Sequence, residues 1–270
     1  MAKLMALRNM RLARRLLSDT THFGFKTIPK DQKERMVADV FQSVAGNYDT
    51  MNDFMSAGIH RLWKNDFVSM IDPSHGAQIL DVAGGTGDIG FRLLDRLKTD
   101  TGYDGNVTIL DINPAMLKVG ESRAERMGLL GPHLCFKEGN AELLDIEDNS
   151  VDAYTIAFGI RNCTHIDKVL QEAYRVLRPG GRFSCLEFSQ VHNPILKPIY
   201  ELYSHYLIPE IGSLVANDRE SYRYLVESIR RFPPQEEFVD MIRDAGFKTF
   251  GKGYSDLTFG VACMHSGFKL

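Results

Sequence analysis

The sequence predicts an α/β fold: a mostly parallel sheet with helices on both faces and an antiparallel hairpin closing its C-terminal edge. Three observations carry this reading. Short apolar runs alternate with amphipathic stretches between residues 77 and 188. The first run, Ala77 to Leu80, leads into Asp81-Val82-Ala83-Gly84-Gly85-Thr86-Gly87-Asp88-Ile89-Gly90. That strand, glycine turn, helix layout lets backbone N–H groups approach a nucleotide-like ligand. Past Gly246 the helical spacing gives way to two strand-like runs.

Each element has its own signal. Residues 31–70 read as helices, because Val37-Ala38-Asp39-Val40-Phe41 and Ile59-His60-Arg61-Leu62-Trp63-Lys64 have helical apolar spacing. Between them, Tyr48-Asp49-Thr50-Met51-Asn52-Asp53 reads as a polar turn. Ala77–Leu80 is a strand and Phe91 to Lys98 a helix. Val107–Leu110 is a strand ending at Asp111, and Pro114 opens a helix to about Met127, since proline suits a first helical turn. Leu134–Lys137 and Val151–Phe158 are strands; Lys168–Leu177 is a helix stopped by Pro179-Gly180-Gly181. Arg182–Phe188 is a strand. Ile195–Ala216, punctuated by Pro198 and Pro209, reads as an inserted helical excursion. Pro233 opens a helix to about Ala245; strands follow from Gly246 to Tyr254 and from Leu257 to His265.

A chain of 270 residues can hold one large domain. No apolar run reaches the ~20 residues of a membrane helix. Cys135, Cys163, Cys185 and Cys263 form no C-x-x-C; three lie in apolar segments as small hydrophobes, which fits a reducing compartment. Residues 1–18 carry Lys3, Arg8, Arg11, Arg14 and Arg15 and no acid, so this +5 segment leaves −8 of the net −3 on the rest. Such an Arg-rich, amphipathic start resembles a mitochondrial transit peptide, expected over residues 1–21, with a single domain over 22–270. The acidic body argues against a nucleic-acid surface.

Two cofactors fit the glycine turn. Gly85-Thr86-Gly87-Asp88-Ile89-Gly90 is the dinucleotide pattern G-x-G-x-x-G. The stretch from Asp81 also reads as the first loop of a Rossmann-like class I methyltransferase, with Ala83 where that pattern expects glycine. There, Asp81 lies near the amino-acid end of S-adenosyl-L-methionine. A seven-stranded methyltransferase sheet with a closing hairpin suits the C-terminal runs better than a dehydrogenase does. Asp111 can accept from ribose hydroxyls in either reading, while Asn113 is the better helix cap. Asn140 can accept from an adenine amine, or it belongs to a plain Gly-Asn turn. Arg161 and Asn162 follow the fourth strand, where open sheets bind ligands; Arg161 either stabilises an oxyanion or forms a structural salt bridge to a helix carboxylate.

Met51-Asn52-Asp53 with Gly58 to Lys64, Asp81 to Asp88, Phe158-Gly159-Ile160-Arg161-Asn162, Tyr174 to Gly181, and Glu227-Ser228-Ile229-Arg230-Arg231-Phe232-Pro233 resemble the ubiquinone/menaquinone biosynthesis C-methyltransferase family. Thr21-His22-Phe23-Gly24-Phe25 and His265 to Leu270 resemble its mitochondrial branch. The resemblance implies S-adenosyl-L-methionine-dependent methylation of a ring carbon of 2-methoxy-6-polyprenyl-1,4-benzoquinol. Gly85, Thr86, Gly87, Asp111, Asn140, Ala141 and Ala157 would bind the cofactor. The family usually has Asp at position 140, and bacterial relatives often have Ser at 157. A water held by Arg161, Asn162 and Tyr48 would take the quinol proton; His60, Asp49 and Glu187 are spare candidates for the ring proton. No metal is called for. The segment Ile195–Ala216, with the helices near Trp63, would form a lid and tail groove. The resemblance also implies a homodimer, a larger biosynthetic assembly and peripheral attachment to the matrix side of the inner membrane. A non-catalytic lipid-binding scaffold and an NAD-dependent dehydrogenase are the alternatives.

Overall fold

The chain winds outward in both directions from one central strand, β3 (Ala77–Val82). The computed structural model describes residues 20–44, 52–53, 55–207, 210 and 219–270. On one side of β3 lie β6 (Gly105–Asp111) and then β7 (Leu134–Glu138). On the other lie β8 (Val151–Ala157) and β9 (Leu177–Phe188). These pairings are all parallel. β11 (Ala262–Phe268) then pairs antiparallel with β9, and β10 (Tyr254–Leu257) antiparallel with β11, completing seven strands. The order reverses between β3 and β8, and a crevice opens there beyond the strand ends.

Strand alternation divides the core in two. Ile79, Val107 and Ile109 pack with Trp63, Phe67, Leu93 and Leu94 from α2 (Ile59–Ile71) and α3 (Asp88–Arg96) on one face. Leu80, Tyr154, Ile156 and Phe183 pack on the other with Val169 and Leu170 of α5 (Ile166–Val176) and Phe238 of α8 (Gln235–Asp244). Period-two side chains buried on both faces give the near-continuous apolar runs read from the sequence. Between β6 and β7, α4 (Pro114–Arg126) begins at its proline, with Asn113 Oδ1 accepting from the Ala115 and Met116 N–H groups. Cys185 and Cys263 are buried, Cys163 is half-buried and Cys135 exposed; all four are free thiols.

Several boundaries differ from expectation. A hairpin, β1 (Thr20–Phe23) and β2 (Lys26–Pro29), precedes α1 (Lys30–Val44) and begins inside the segment assigned to the transit peptide. The helix expected at Phe91 starts at Asp88, directly after Gly87. β9 starts at Leu177 and carries Pro179-Gly180-Gly181 within it, next to β8 on one side. A tiny pair, β4 (Lys98–Thr99) and β5 (Gly102–Tyr103), was not foreseen. The strand expected from Gly246 to Tyr254 shrinks to one bridge, Lys248 to Phe268, after which the chain turns at Gly251 and Gly253, at φ 56° and 79°; the hairpin strand begins only at Tyr254. Pro233 precedes a second proline, which forces it out of the helical region, so α8 starts at Gln235. In the inserted excursion, α6 (Leu196–Leu202) runs into a π-helical turn, Tyr203–Leu207, and Pro198 falls in the first turn, where a missing N–H costs little. Pro209 and residues 211–216 lie outside the described residues. α7 (Arg219–Arg231) follows.

Candidate active site

The glycine turn is held by its own backbone and by one carboxylate. Gly84 N–H donates to Leu110 O at 3.1 Å, and Gly87 N–H to Gly84 O at 2.9 Å. A Cβ on Gly84 would lie 2.8 Å from Ile109 Cγ2 and 2.9 Å from Asp81 Oδ2. Asp111 Oδ2 accepts from Gly85 N–H at 2.9 Å, and its Oδ1 from Asn113 N–H at 2.8 Å. Burial raises the Asp111 pKa above the usual carboxylate value, against these N–H bonds. Thr86 is buried; its Oγ1 accepts from Arg123 Nη1 at 2.9 Å.

Asp81 supplies an unmet polar atom. Its Oδ1 accepts from the Thr155 hydroxyl at 2.7 Å, while buried Oδ2 has no hydrogen-bond partner. Burial pushes its pKa up to about 7. Asp81 lines a cleft of ≈ 1140 Å³ that runs along the glycine turn. α1 roofs the cleft with Glu34, Val37, Ala38 and Phe41. Lys33 ties this roof down by donating to Cys163 O at 2.7 Å.

A second cavity, ≈ 1510 Å³, adjoins the first. Its wall is aromatic and apolar, with Trp63, Phe188, Tyr200, Tyr203, Tyr222 and Tyr224. Trp63 Nε1–H donates to Thr258 Oγ1 at 2.8 Å, and the Tyr203 hydroxyl donates to Met55 O at 2.6 Å. Phe41, Lys64 and Phe158 line both spaces. Phe158, directly after β8, sits at φ 56°, in the left-handed region. Lys64 donates to Asp88 Oδ2 at 2.7 Å. Burial opposes ionisation of Asp88, but Lys64 and Arg92 outweigh it and hold its pKa at about 2.

Arg161 and Asn162 straddle the junction. Arg161 is on the aromatic cavity wall and Asn162 on that of the glycine cleft. Arg161 Nη1 donates to Glu187 Oε1 at 2.6 Å and to Phe158 O at 2.5 Å; its Nε donates to Ser228 Oγ at 3.3 Å. Glu187 is fully buried, and burial raises its pKa against the pull of Arg161. The Tyr224 hydroxyl donates to Asn162 Oδ1 at 2.9 Å.

The glycine-lined cleft thus lies beside an aromatic pocket, at the switch point of this strand order. The profile of the ubiE/COQ5 methyltransferase family matches residues 28–269. The chain belongs to the ubiE/COQ5 methyltransferase family. It is 52% identical to the mitochondrial 2-methoxy-6-polyprenyl-1,4-benzoquinol methylase of Dictyostelium discoideum, over 93% of this chain and 86% of that one. It is 54% identical to the ubiquinone/menaquinone biosynthesis C-methyltransferase UbiE of Brucella abortus, over 92% of this chain and 90% of that one. A SAM-dependent methyltransferase of Aquifex aeolicus shares the fold, at a TM-score of 0.55 and 15% identity, over 77% of this chain and 89% of that one.

The methyltransferase gathers most of the residues singled out in its sequence. Gly85, Thr86, Asp111, Asn140, Ala141 and Ala157 line the glycine cleft. Gly87 does not; it sits against the Phe91 ring at the start of α3. The Asn140 oxygen accepts from Glu142 N–H at 2.8 Å and keeps a second lone pair, and its Nδ2 faces Glu34 at 3.5 Å. The salt bridge of Arg161 goes to a strand carboxylate, Glu187, not a helix one. His60 lines the aromatic cavity, whereas Tyr48 and Asp49 lie outside the described residues. Sequence reasoning missed the roof, Glu34 with Lys33, and the partner Tyr224. The helical spacing of Tyr222, Leu225 and Ile229 was the available signal for the latter face. Among the described residues, no cluster of three or more His, Cys, Asp or Glu could hold a metal ion.

Proposed function

We propose that this enzyme transfers a methyl group from S-adenosyl-L-methionine to a ring carbon of 2-methoxy-6-polyprenyl-1,4-benzoquinol, in mitochondrial ubiquinone biosynthesis. The observation that carries the reading is the direct junction of the glycine cleft with a wide aromatic cavity at Phe41, Lys64 and Phe158. One space suits a nucleoside with an amino-acid end, the other a benzoquinol ring with an apolar tail.

The residues present fit the cofactor. The orphaned Asp81 Oδ2 offers an acceptor to an ammonium group. Gly84, Gly85 and Thr86 give the close backbone approach, and Asp111 retains lone pairs beyond its two N–H bonds for hydroxyl donors. When bound, S-adenosyl-L-methionine supplies an electrophilic methyl on a sulfonium sulfur. The protein must make a ring carbon nucleophilic and align it. Arginine stays charged, so Arg161 serves as a fixed cation toward a developing phenolate and not as a proton acceptor. Asn162 and Tyr224 brace the wall beside it.

The relatives' mitochondrial names support a place in the mitochondrion, and the apolar tail supports attachment at a membrane surface, proposed as the matrix side of the inner membrane. Among the described residues, no helix is long and apolar enough to cross a bilayer. α6 and its π-helical turn instead expose Ile195, Ile199, Leu202 and Tyr206, at helical spacing, while Tyr200 and Tyr203 line the aromatic cavity. The proposed attachment is through that stripe. A homodimer within a larger biosynthetic assembly belongs to the same reading through the family.

The test is methyl transfer from labelled S-adenosyl-L-methionine to a short-tailed benzoquinol, with and without reductant. Label on the ring carbon only under reducing conditions supports the reaction and its phenolate logic. Cofactor binding without transfer points to a scaffold or a required partner, and absence of cofactor binding sinks the reading.

A further inference from the structure

We propose that His60 is the base that removes the quinol proton, with Asp53 stabilising the imidazolium that results. This rests on the quinol reading above. The arrangement follows from hydrogen-bond bookkeeping around one serine. Ser56 Oγ–H donates to Asn52 O at 2.7 Å. A hydroxyl has one proton to give. Toward His60 Nδ1, also 2.7 Å away, Ser56 Oγ therefore accepts. Nδ1 carries the proton, and Nε2 keeps the lone pair.

Nε2 lies 3.8 Å from Asp53 Oδ1. That carboxylate is clamped by Arg61 through two bonds of 2.6 Å. It cannot donate to Nε2, but it faces any proton that Nε2 acquires. His60 is 6% exposed and lines the aromatic cavity, one turn before Lys64 at its junction with the glycine cleft. Burial favours the neutral imidazole, Lys64 and Arg61 act the same way, and Asp53 and Asp88 oppose them. Among the described residues, this cavity wall carries no carboxylate, and its two cations, Lys64 and Arg161, are already paired with Asp88 and Glu187. Among the described residues, His60 is left as its neutral base.

The proton count closes. The quinol O–H gives its proton to Nε2, and the oxygen's electrons raise the density on the ring carbon. That carbon bonds to the methyl of the sulfonium donor as the C–S bond breaks, its electron pair staying on sulfur. The ring carbon then releases its hydrogen as a proton to water, restoring the aromatic ring, and the imidazolium returns its proton to the oxygen. One proton is set free per methyl transferred.

The first experiment needs no donor. A nitrophenol with a short isoprenoid tail is bound to the full-length enzyme, and its phenolate absorbance is followed with pH. His60→Gln is expected to lower the phenolate fraction at least tenfold at a fixed pH. In turnover, wild-type kcat should rise with pH as His60 loses its proton. The variant should lose that limb and on the order of 10²–10⁴-fold in kcat, with donor affinity unchanged. A variant that keeps both the absorbance and the limb overturns the proposal. If His60→Gln does not fold, Asp53→Asn reads the same point: losing the carboxylate should move the limb to lower pH, and an unmoved limb overturns the assignment. An enzyme that ionises the phenol through His60 yet does not methylate the quinol overturns the substrate reading and leaves His60 standing.

Discussion

Asp81 and Arg161 are both buried charges, and they carry opposite predictions. Asp81 has one oxygen without a partner, and burial lifts its pKa to about 7. Because the folded value lies above the ordinary 3.8, its contribution to stability is fully present below that pH and is lost as pH rises through about 7. An ammonium group placed there favours the carboxylate, so cofactor binding near pH 6 should release protons. Calorimetry in buffers of different ionisation enthalpy measures this directly, and Asp81→Asn should abolish the release and flatten stability across that range. Arg161, in contrast, is paired with Glu187. Arg161→Ala leaves Glu187 buried without its partner, which should cost about 3–5 kcal/mol of unfolding free energy as well as most of the turnover. Adding Glu187→Gln should recover most of the stability and none of the activity. If the double variant turns over normally, Arg161 serves only to neutralise Glu187. Donor affinity, followed by titration, should change little in either case, since Arg161 is not on the glycine cleft wall.

At the scale of elements, two strand ends touch where ligands meet. Ala83, after β3, sits at φ 52°, and a Cβ on Gly159, after β8, would fall 2.5 Å from the Ala83 Cβ. Gly159→Ala should therefore destabilise by about 1–3 kcal/mol through overpacking. Ala83→Gly in the same chain should restore much of that, because it removes the other half of the clash and relaxes a left-handed alanine. Denaturant unfolding of the two single variants and the double decides this; a double variant no better than Gly159→Ala would mean that the strain lies elsewhere. The same comparison shows what a sequence discloses. β3, β6 and β8 were legible because both of their faces are buried. Asp111, Thr86 and Gly85 were legible because a strand, a glycine turn and a helix follow each other within a few residues. The roof of the cleft was not, since Lys33 and Cys163 are 130 positions apart, and no local pattern encodes that bond. Residues 246–253 alternate well enough for a strand, yet only Lys248 bridges to Phe268 before Gly251 and Gly253, at positive φ, turn the chain. The bond from Glu142 N–H to the Asn140 oxygen was not legible either, because nothing in the residue type says which N–H it takes.

On the scale of the molecule, the α6 segment has two faces, one on the aromatic cavity and one exposed. Tyr200 and Tyr203 look into the cavity, and Ile195, Ile199, Leu202 and Tyr206 are 73%, 61%, 62% and 62% exposed. In water such a stripe is a liability. In a bilayer surface each Ile- or Leu-sized side chain gains about 1.5–3 kcal/mol by leaving water, and on the proposed docking a polyprenyl tail would pass from hydrocarbon to the cavity without crossing water. Two substitutions separate membrane docking from catalysis. Ile199→Glu with Leu202→Glu should abolish co-sedimentation with phospholipid vesicles, because two carboxylates must then enter or avoid the interface. Turnover of a short-tailed, water-soluble quinol should stay within about threefold, since neither side chain lines the cavity. Turnover of a long-tailed quinol held in vesicles should fall at least tenfold. Unchanged vesicle binding would place the membrane contact on another face. Loss of turnover with both substrates would mean that the segment holds the cavity closed, and that its exposed stripe meets protein, not lipid.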